Sequence, residues 1–367
     1  MGVDWGRPMT QRWVYAEVDP DTWEDVRELS TVAGCTITRD LDSELRESAS
    51  FEIDGEQPGE TFIRVYIEAD ERLPTVHHAD SFEKQRTASE RMAVGTFLCQ
   101  TPSLKADGRV RTLTVDAYSP LIELADDRPP YGYTARGKVE EVLEQIVGSV
   151  SHAPFVGYGS QKSIAGSLVA NEDDTWLTFC RTIASYAGCD IACDEQGRVV
   201  MEPVRAPSAL LPTWTFDDSN SSVLLPDFEE SFDWFGLPNR CEVVWSEEAR
   251  TLVGVAENKD AASPLSTVSR GRKVTVRHDN PEGLEEGCTQ AQVTSRAKQL
   301  LEEASVVERE YVANHGFCKV RAGDAVRIRY ARFGVDVTAQ VRSQEISCVT
   351  GATVKSVCKV TERMWSA

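Results

Sequence analysis

Carboxylates are the most abundant reactive groups in this chain, with pairs at Asp126-Asp127, Glu285-Glu286 and Glu302-Glu303. Two carboxylates converging on one bond could hydrolyse a glycan or cell-wall polymer, one giving a proton and the other acting as base or nucleophile. With 59 Asp and Glu residues among 367, however, adjacent acids arise on any solvated face, so no pair stands out. The histidines at 77, 78, 152, 278 and 315 have no nucleophile at a recognisable offset. His77 and His78, adjacent on an extended segment, point to opposite sides and cannot share a metal; they read as a solvated loop tip. His315, beside Gly316, reads as a turn residue rather than a base. The ten cysteines (35, 99, 180, 189, 193, 241, 288, 318, 348 and 358) form no CxxC pair, and Cys189 and Cys193 lack a second pair or His at zinc spacing. They read as small buried hydrophobes in a reducing compartment. Gly157-Tyr158-Gly159 does not extend to GxGxxG because position 162 is Lys, and GxxxxGK[ST], HExxH and GxSxG do not occur. The expected sets are therefore empty: no catalytic residue, no cofactor or cofactor-binding residue and no metal ligand.

Composition narrows the class further. The hydrophobic share is 41%, ordinary for a globular chain and too high for disorder. No apolar run approaches the length of a membrane span, and MGVDWGRPMTQRWVY carries no apolar signal region. A formal net charge of −20 repels nucleic-acid backbones and anionic membranes. It suits solubility, or a surface that must let a polyanion pass without holding it. Trp214, Trp234 and Trp245 read as core or interface anchors rather than sugar platforms.

The elements that would position any site are mostly strands. Ser48–Ile53 and Glu60–Glu68 show the period-two alternation of half-buried strands, and Trp13–Ala16, Gly34–Thr38, Gly95–Cys99 and Arg111–Tyr118 read as further strands. Asp19–Leu29 reads as a loop or short helix, residues 70–92 as a long loop, and Ala106-Asp107-Gly108 as a turn. The character changes after Ser119-Pro120. Leu121–Ala125 is a short helix, and Val139, Val142, Leu143, Ile146 and Val147 share one face of a second, ending at Gly148. Then comes NEDDTWLTFCRTIASYAGCDIACDEQGRVVMEP, Asn171–Pro203. Asn171, Asp173 and Asp174 offer cap oxygens; Trp176, Phe179, Cys180, Ile183 and Ala187 fall on one helical face; Gly188 closes the helix. Cys189–Cys193 and Arg198–Glu202 form a hairpin around Asp194-Glu195-Gln196-Gly197. Beyond the proline-punctuated boundary at Pro203–Pro212, strands are expected from Trp214, over Arg240–Trp245 and over Lys273–Val276. Glu247–Val268 reads as a loop or hairpin, and Glu285–Glu303 as a third helix. The chain closes with strands over Val306–Tyr311, Ala325–Tyr330, Val335–Val341, Ser343–Val349 and Val354–Val360.

The order of these elements resembles phage tail hub proteins, the late-control D family of baseplate hubs. The carrying stretches are the helix-plus-hairpin DTWLTFCRTIASYAGCDIACDEQGRVVMEP, Pro238-Asn239-Arg240-Cys241-Glu242-Val243, the Thr289–Leu301 helix and the turn Arg321-Ala322-Gly323-Asp324-Ala325-Val326. Near the N-terminus they are Ser48-Ala49-Ser50-Phe51-Glu52-Ile53, Gly95-Thr96-Phe97 and Val115–Leu121. The resemblance implies a β-rich α+β chain with two antiparallel β-barrels flanking a small α/β segment. Their bounds would be 1–118, 119–205 and 206–367, with a loop and helix insertion at about 247–309. It further implies a non-enzymatic virion protein of the tail tip, made in the bacterial host cytoplasm. Three copies would form a pseudo-six-fold ring that continues the tail tube and lets DNA pass an acidic lumen. Partners would be distal tail and tube proteins, a tape measure and a tip or spike. No lysin or peptidase domain is expected in these residues, so cell-wall cleavage would fall to another chain. The competing readings are a carboxylate-dependent hydrolase on a β-scaffold, and a receptor- or carbohydrate-binding tail module.

Overall fold

The computed structural model describes residues 3–7, 9–54, 59–72, 87–107, 110–205, 209–219, 223–248 and 250–365. His77, His78 and Gly108 of the expected turn lie outside the described residues. Strands make up 48% and helices 16%, so the chain is β-rich. It divides into two compact units, Met1–Asp227 with Ala313–Val357, and Phe228–Val312 with Cys358–Ala367.

The first unit opens with strands β1 (Thr10–Val18), β2 (Asp25–Glu28), β3 (Val32–Asp40), β4 (Glu47–Ile53), β5 (Phe62–Arg72), β6 (Thr87–Asp107) and β7 (Val110–Tyr118). They hydrogen-bond in the order β3-β4-β7-β6-β5-β1-β2, an open path, with every neighbouring pair antiparallel. Alternate residues Cys35, Ile37, Ala49, Phe51, Ile53, Val115 and Ala117 are buried, as the period-two pattern requires. β2 corrects the loop or short helix expected over Asp19–Leu29. Its four residues are all exposed, so no apolar alternation announces it; it is held on the sheet edge by pairing with β1. β6 pairs with β5 along its first half and with β7 along its second. A register shift leaves Val94 as an extra residue in it, opposite the Val65/Tyr66 step.

The middle of this unit holds α1 (Leu121–Asp126), β8 (Thr134–Ala135), α2 (Val139–Val150), β9 (Phe155–Val156), β10 (Leu168–Val169), α3 (Trp176–Ser185), β11 (Cys189–Cys193) and β12 (Val199–Pro203). Trp176, Phe179, Cys180 and Ile183 bury the α3 face against Leu124 of α1, Leu143 and Ile146 of α2, and Ile191 and Val199 of the hairpin. The cap differs from the expected acids. Thr175 accepts from Thr178 N and Thr178 reciprocates, a capping box, while Asp174 accepts from Asn171 N. α2 runs two residues past Gly148, with Ser151 N donating to Val147 O at its end.

Chain order continues with β13 (Pro212–Asp217) and β14 (Leu224–Phe232). The second unit then contributes β15 (Arg240–Glu247), β16 (Arg250–Glu257), α4 (Thr267–Arg270), β17 (Thr275–Asp279) and α5 (Gln290–Ala304). β16-β15-β17 form a sheet, and Val293, Ala297 and Leu301 of α5 share a core with Cys241, Val243 and Ala256. α5 starts five residues later than the expected Glu285, because Thr289 and Gln292 form its capping box. Gly254 of β16 lets the helix sit close: a Cβ there would lie 2.5 Å from the Val293 carbonyl oxygen.

After β18 (Val306–Gly316) come β19 (Ala325–Tyr330), β20 (Val335–Ser347) and β21 (Thr353–Arg363). β19 pairs with β20, and β20 pairs with β3 through Ser347↔Thr36 and Ser343↔Asp40. β20 is one strand where two were expected with a break at Arg342. Arg342 stays in the strand because its carbonyl accepts from Leu41 N and its guanidinium pairs with Asp42.

Candidate functional site

Three of the sequence stretches that stood out, the Asn171–Pro203 unit, Gly95-Thr96-Phe97 and the Arg321–Asp324 turn, meet at one place in the first unit. The β11–β12 hairpin tip, Asp194–Gly197, is gripped from two sides. On one side are Trp23, Arg64 and Thr96 of the N-terminal sheet region. On the other is Arg321 of the Arg321-Ala322-Gly323-Asp324 turn. Trp23 Nε1 donates to Gln196 O at 2.8 Å, and Arg64 Nη2 donates to the same oxygen at 3.1 Å. Arg64 Nε donates to Thr96 Oγ1 at 3.0 Å, and its Nη1 to Asp25 Oδ1 at 2.8 Å. Arg321 donates to Cys193 O at 3.0 Å and lies 2.9 Å from Glu195 Oε1. The tip is therefore not a solvated hairpin end: Trp23 and Arg64 share Gln196 O, Thr96 Oγ1 donates to Glu195 O at 3.4 Å, and Asp194 O accepts from Gly197 N within the turn. Gly197, at φ +74, is seated so tightly that a Cβ would lie 2.5 Å from Thr96 Cβ.

Beneath the tip lies a charged pair. Arg39 and Glu47 stand directly opposite across β3 and β4, with Nε and Oε1 3.3 Å apart and side chains only 4% and 10% exposed. The contact is electrostatic, since Arg39 Nε is not aligned for a hydrogen bond. Arg39 Nη2 donates to Val94 O at 2.5 Å, supplying a partner to the residue that the β6 bulge leaves unpaired. Arg321 Nη2 is 4.0 Å from Glu47 Oε1, so Glu47 lies between two guanidinium groups. Burial pushes the Glu47 carboxyl up against the downward pull of Arg39 and Arg321, and burial likewise raises Asp324. Arg39 is lowered by burial, Glu47 opposing. For Arg321, burial acts downward, yet Glu47, Glu195, Glu202 and Asp324 together raise it.

A directional chain of hydrogen bonds leaves Arg39. Its Nη1 donates to Gln344 Oε1 at 3.3 Å, Gln344 Nε2 donates to Ser356 Oγ at 3.2 Å, and Ser356 Oγ lies 2.8 Å from His315 Nε2. His315 Nδ1 is 2.7 Å from Gly316 O, so it is the donor nitrogen, and Nε2 accepts from Ser356. His315 is thus a sealed strand residue of β18, 1% exposed, and not the turn residue its glycine neighbour suggested. Burial lowers its pKa to about 4, which keeps the ring neutral.

Two cavities of about 560 and 430 Å³ flank the Arg39–Arg321 pair, one along Arg46, Asp190, Glu202 and Gln340, the other along Arg91, Glu195 and Lys319. Hydrolytic use of these acids would need a carboxylate held protonated and a second aimed at the same bond. Burial pushes Glu47 in that direction, but each of these acids has an arginine beside it rather than a second carboxylate: Asp194 with Arg198 at 2.6 Å, Glu195 with Arg321 at 2.9 Å, Glu47 with Arg39 at 3.3 Å. The remaining sequence candidates are dispersed. His152 contacts Glu123 at 2.5 Å, and His278 sits in β17. All ten cysteines are free and buried. Among the described residues, no group of three or more His, Cys, Asp or Glu side chains could hold a metal ion, and no helix is long and apolar enough to cross a membrane. What this arrangement does chemically is clamp three chain segments together. Sequence reading picked out Gly197, Gly95-Thr96-Phe97 and the Arg321–Asp324 turn, but passed over Trp23, Arg39 and Arg64.

No protein-family model matches the sequence, and no curated protein is similar to it. Solved structures do share its fold. The tail protein from Neisseria meningitidis MC58 is 11% identical over 96% of this chain and 98% of its own, with a TM-score of 0.56. The 43 kDa tail protein of prophage MuSo2 from Shewanella oneidensis is 12% identical over 94% and 97%, with a TM-score of 0.52. A chain of the Francisella PdpA-VgrG complex is 8% identical over 96% of this chain and 58% of its own, with a TM-score of 0.51. The resemblance to phage tail proteins read from the order of motifs is thus met by the fold along almost the whole chain.

Proposed function

We propose that this protein is a structural component of a phage-type tail, the hub at its tip or baseplate. The observation that carries this reading is the end-to-end fold match to the Neisseria tail protein, which leaves almost no part of either chain unaccounted for. On this reading residues 1–118 and 206–367 supply two related β-barrels around the α/β piece 119–205, with an insertion at about 247–309. Three copies close a pseudo-six-fold ring that joins the tail tube to a tip or spike, with tape measure and distal tail proteins as neighbours. The role needs no catalytic residue, cofactor or metal. The junction at Arg39, Glu47 and Arg321 supports it in kind, because it fixes segments against one another rather than presenting a reactive group. A surplus of acid facing the lumen would keep transiting DNA from adsorbing.

Light scattering of the purified chain over a concentration series, with negative-stain imaging of the largest species, tests this. Three-fold rings with an open centre support the hub. A chain that stays monomeric, and fails to form rings when mixed with tail-tube protein from the same genome, overturns the ring.

A further inference from the structure

We propose that Cys35 and Cys348 are a latent disulfide, a site of reversible oxidation that ties the N-terminal sheet to the end of β20. The two residues face each other. The β3–β20 register, read outward from Ser347↔Thr36, places Cys348 opposite Cys35, and Cys348 N donates to Cys35 O at 2.9 Å. Both side chains point inward with their strand neighbours Ile37 and Ile346 and are 4% and 3% exposed. Burial, and after it the neighbouring Cys348 thiol, push the Cys35 thiol up, as two side-by-side thiols would. Residues opposed in this way have Cα atoms about 5.5 Å apart, within the span of about 4.4–6.8 Å that a disulfide bridges. Cys348 is the first residue beyond β20, and its backbone is held by Cys35 O on one side and by the Tyr15 hydroxyl, 3.3 Å from its carbonyl oxygen, on the other, so the bridge forms by side-chain rotation with this backbone in place. The other close candidate is Cys99, but it lies on β6, which is separated from β3 in the sheet by β4 and β7.

The chemistry is thiol–disulfide exchange with a small disulfide as oxidant. One protein thiolate attacks a sulfur of the reagent, releasing one thiol and leaving a mixed disulfide. The second protein thiolate attacks that intermediate, forming the Cys35–Cys348 bond and releasing a second thiol. Two protein thiols lose two electrons and two protons, and the reagent is reduced to two thiols. Burial holds the Cys35 thiol well above the ordinary range, so thiolate is scarce and the exchange is slow. The finished bridge closes a loop of roughly 300 residues, a long cross-link of the kind that most restricts an unfolded chain.

The test incubates the full chain with hydroxyethyl disulfide at pH 8.5, blocks remaining thiols under denaturing conditions and maps the peptides. A dithiol peptide in the same tube reports that the oxidant works. The expected result is a linked peptide pair containing Cys35 and Cys348, released by reductant and absent from C348S. C99S is expected to retain it, and in the unsubstituted chain Cys35 and Cys348 are expected to lose alkylation together as the linked pair appears. A map in which Cys35 joins Cys99, or in which both cysteines remain alkylatable once the other buried cysteines of the chain have reacted with the reagent, overturns the proposal.

Discussion

Arg39 and Glu47 face each other across adjacent antiparallel strands, both nearly sealed from water, and the arginine also supplies the hydrogen bond that a bulge in a third strand needs. Removing one member strands the others. Arg39→Met leaves Glu47 with only Arg321 at 4.0 Å, and deprives Val94 O and Gln344 Oε1 of their donor. Urea unfolding is expected to show a loss of about 3–5 kcal/mol. The double variant Arg39→Met/Glu47→Leu should be more stable than Arg39→Met alone; strict additivity of the two single losses would show that the pair is not coupled.

The hairpin tip gives a second prediction. Gly197→Ala must hold an L-residue at φ +74 and place a methyl 2.5 Å from Thr96 Cβ. A loss of about 3 kcal/mol is expected, part from the left-handed backbone and part from the collision. Gly188→Ala, at φ +69 with open space around it, carries the backbone penalty alone, about 1 kcal/mol. Equal losses in a denaturant titration would remove the close seating of the tip from the account.

In the second unit, Gly254→Ala should loosen α5. The new methyl would meet the Val293 carbonyl group, which is backbone and cannot turn aside. Hydrogen exchange is expected to rise along Gln290–Ala304, with a loss of about 3 kcal/mol. Val255→Ala, on an exposed position of the same strand, should change exchange in α5 little. If the two variants exchange alike, the close approach at Gly254 is not what seats the helix.

His315 makes stability depend on pH. Its folded pKa, about 4, lies below the ordinary 6.5, so as pH falls from 6.5 to 4 the unfolded chain binds the proton first. Stability is at its full value above pH 6.5, falls through that window by up to about 3 kcal/mol and then levels. Protonation is opposed because burial strips the charged ring of water, while Ser356 Oγ, which accepts from Gln344, sits at Nε2 where the added proton would go. Glu47 and Asp324, both raised by burial, work the other way as pH falls. The comparison is therefore between the chain and His315→Gln: the difference in their stabilities should change by up to about 3 kcal/mol between pH 6.5 and 4. Parallel pH profiles would mean that His315 titrates normally in the fold.

Much of the fold was legible because core residues repeat with the period of their element. Phe51 and Ile53 mark β4; Trp176, Phe179 and Ile183 mark α3. Asp25–Glu28 was not legible as a strand because an exposed edge has no apolar face to display. The α3 and α5 boundaries were missed by a few residues because Thr175 and Thr289 stood among acids that could have capped equally well. At the junction, glycines with a steric reason to be glycine were visible, whereas Arg39 and Arg64 were hidden among 39 basic residues. Nothing local to an arginine says that its partner will be a bulge carbonyl on another strand. His315 was misread for the same reason: its partner Ser356 lies on β21, far along the chain.

β6 is 21 residues long, roughly 70 Å of extended chain, and it serves β5 with one half and β7 with the other. Its side chains alternate between faces, so a single lost or gained codon near its middle would turn the whole remaining half over, exchanging inside for outside along β7. The register shifts at Val94 against β5 and at Gln100, between Cys99 and Thr101, against β7 are the places where such an odd residue has already been absorbed. Elsewhere on this strand the gene can change its letters but not its length.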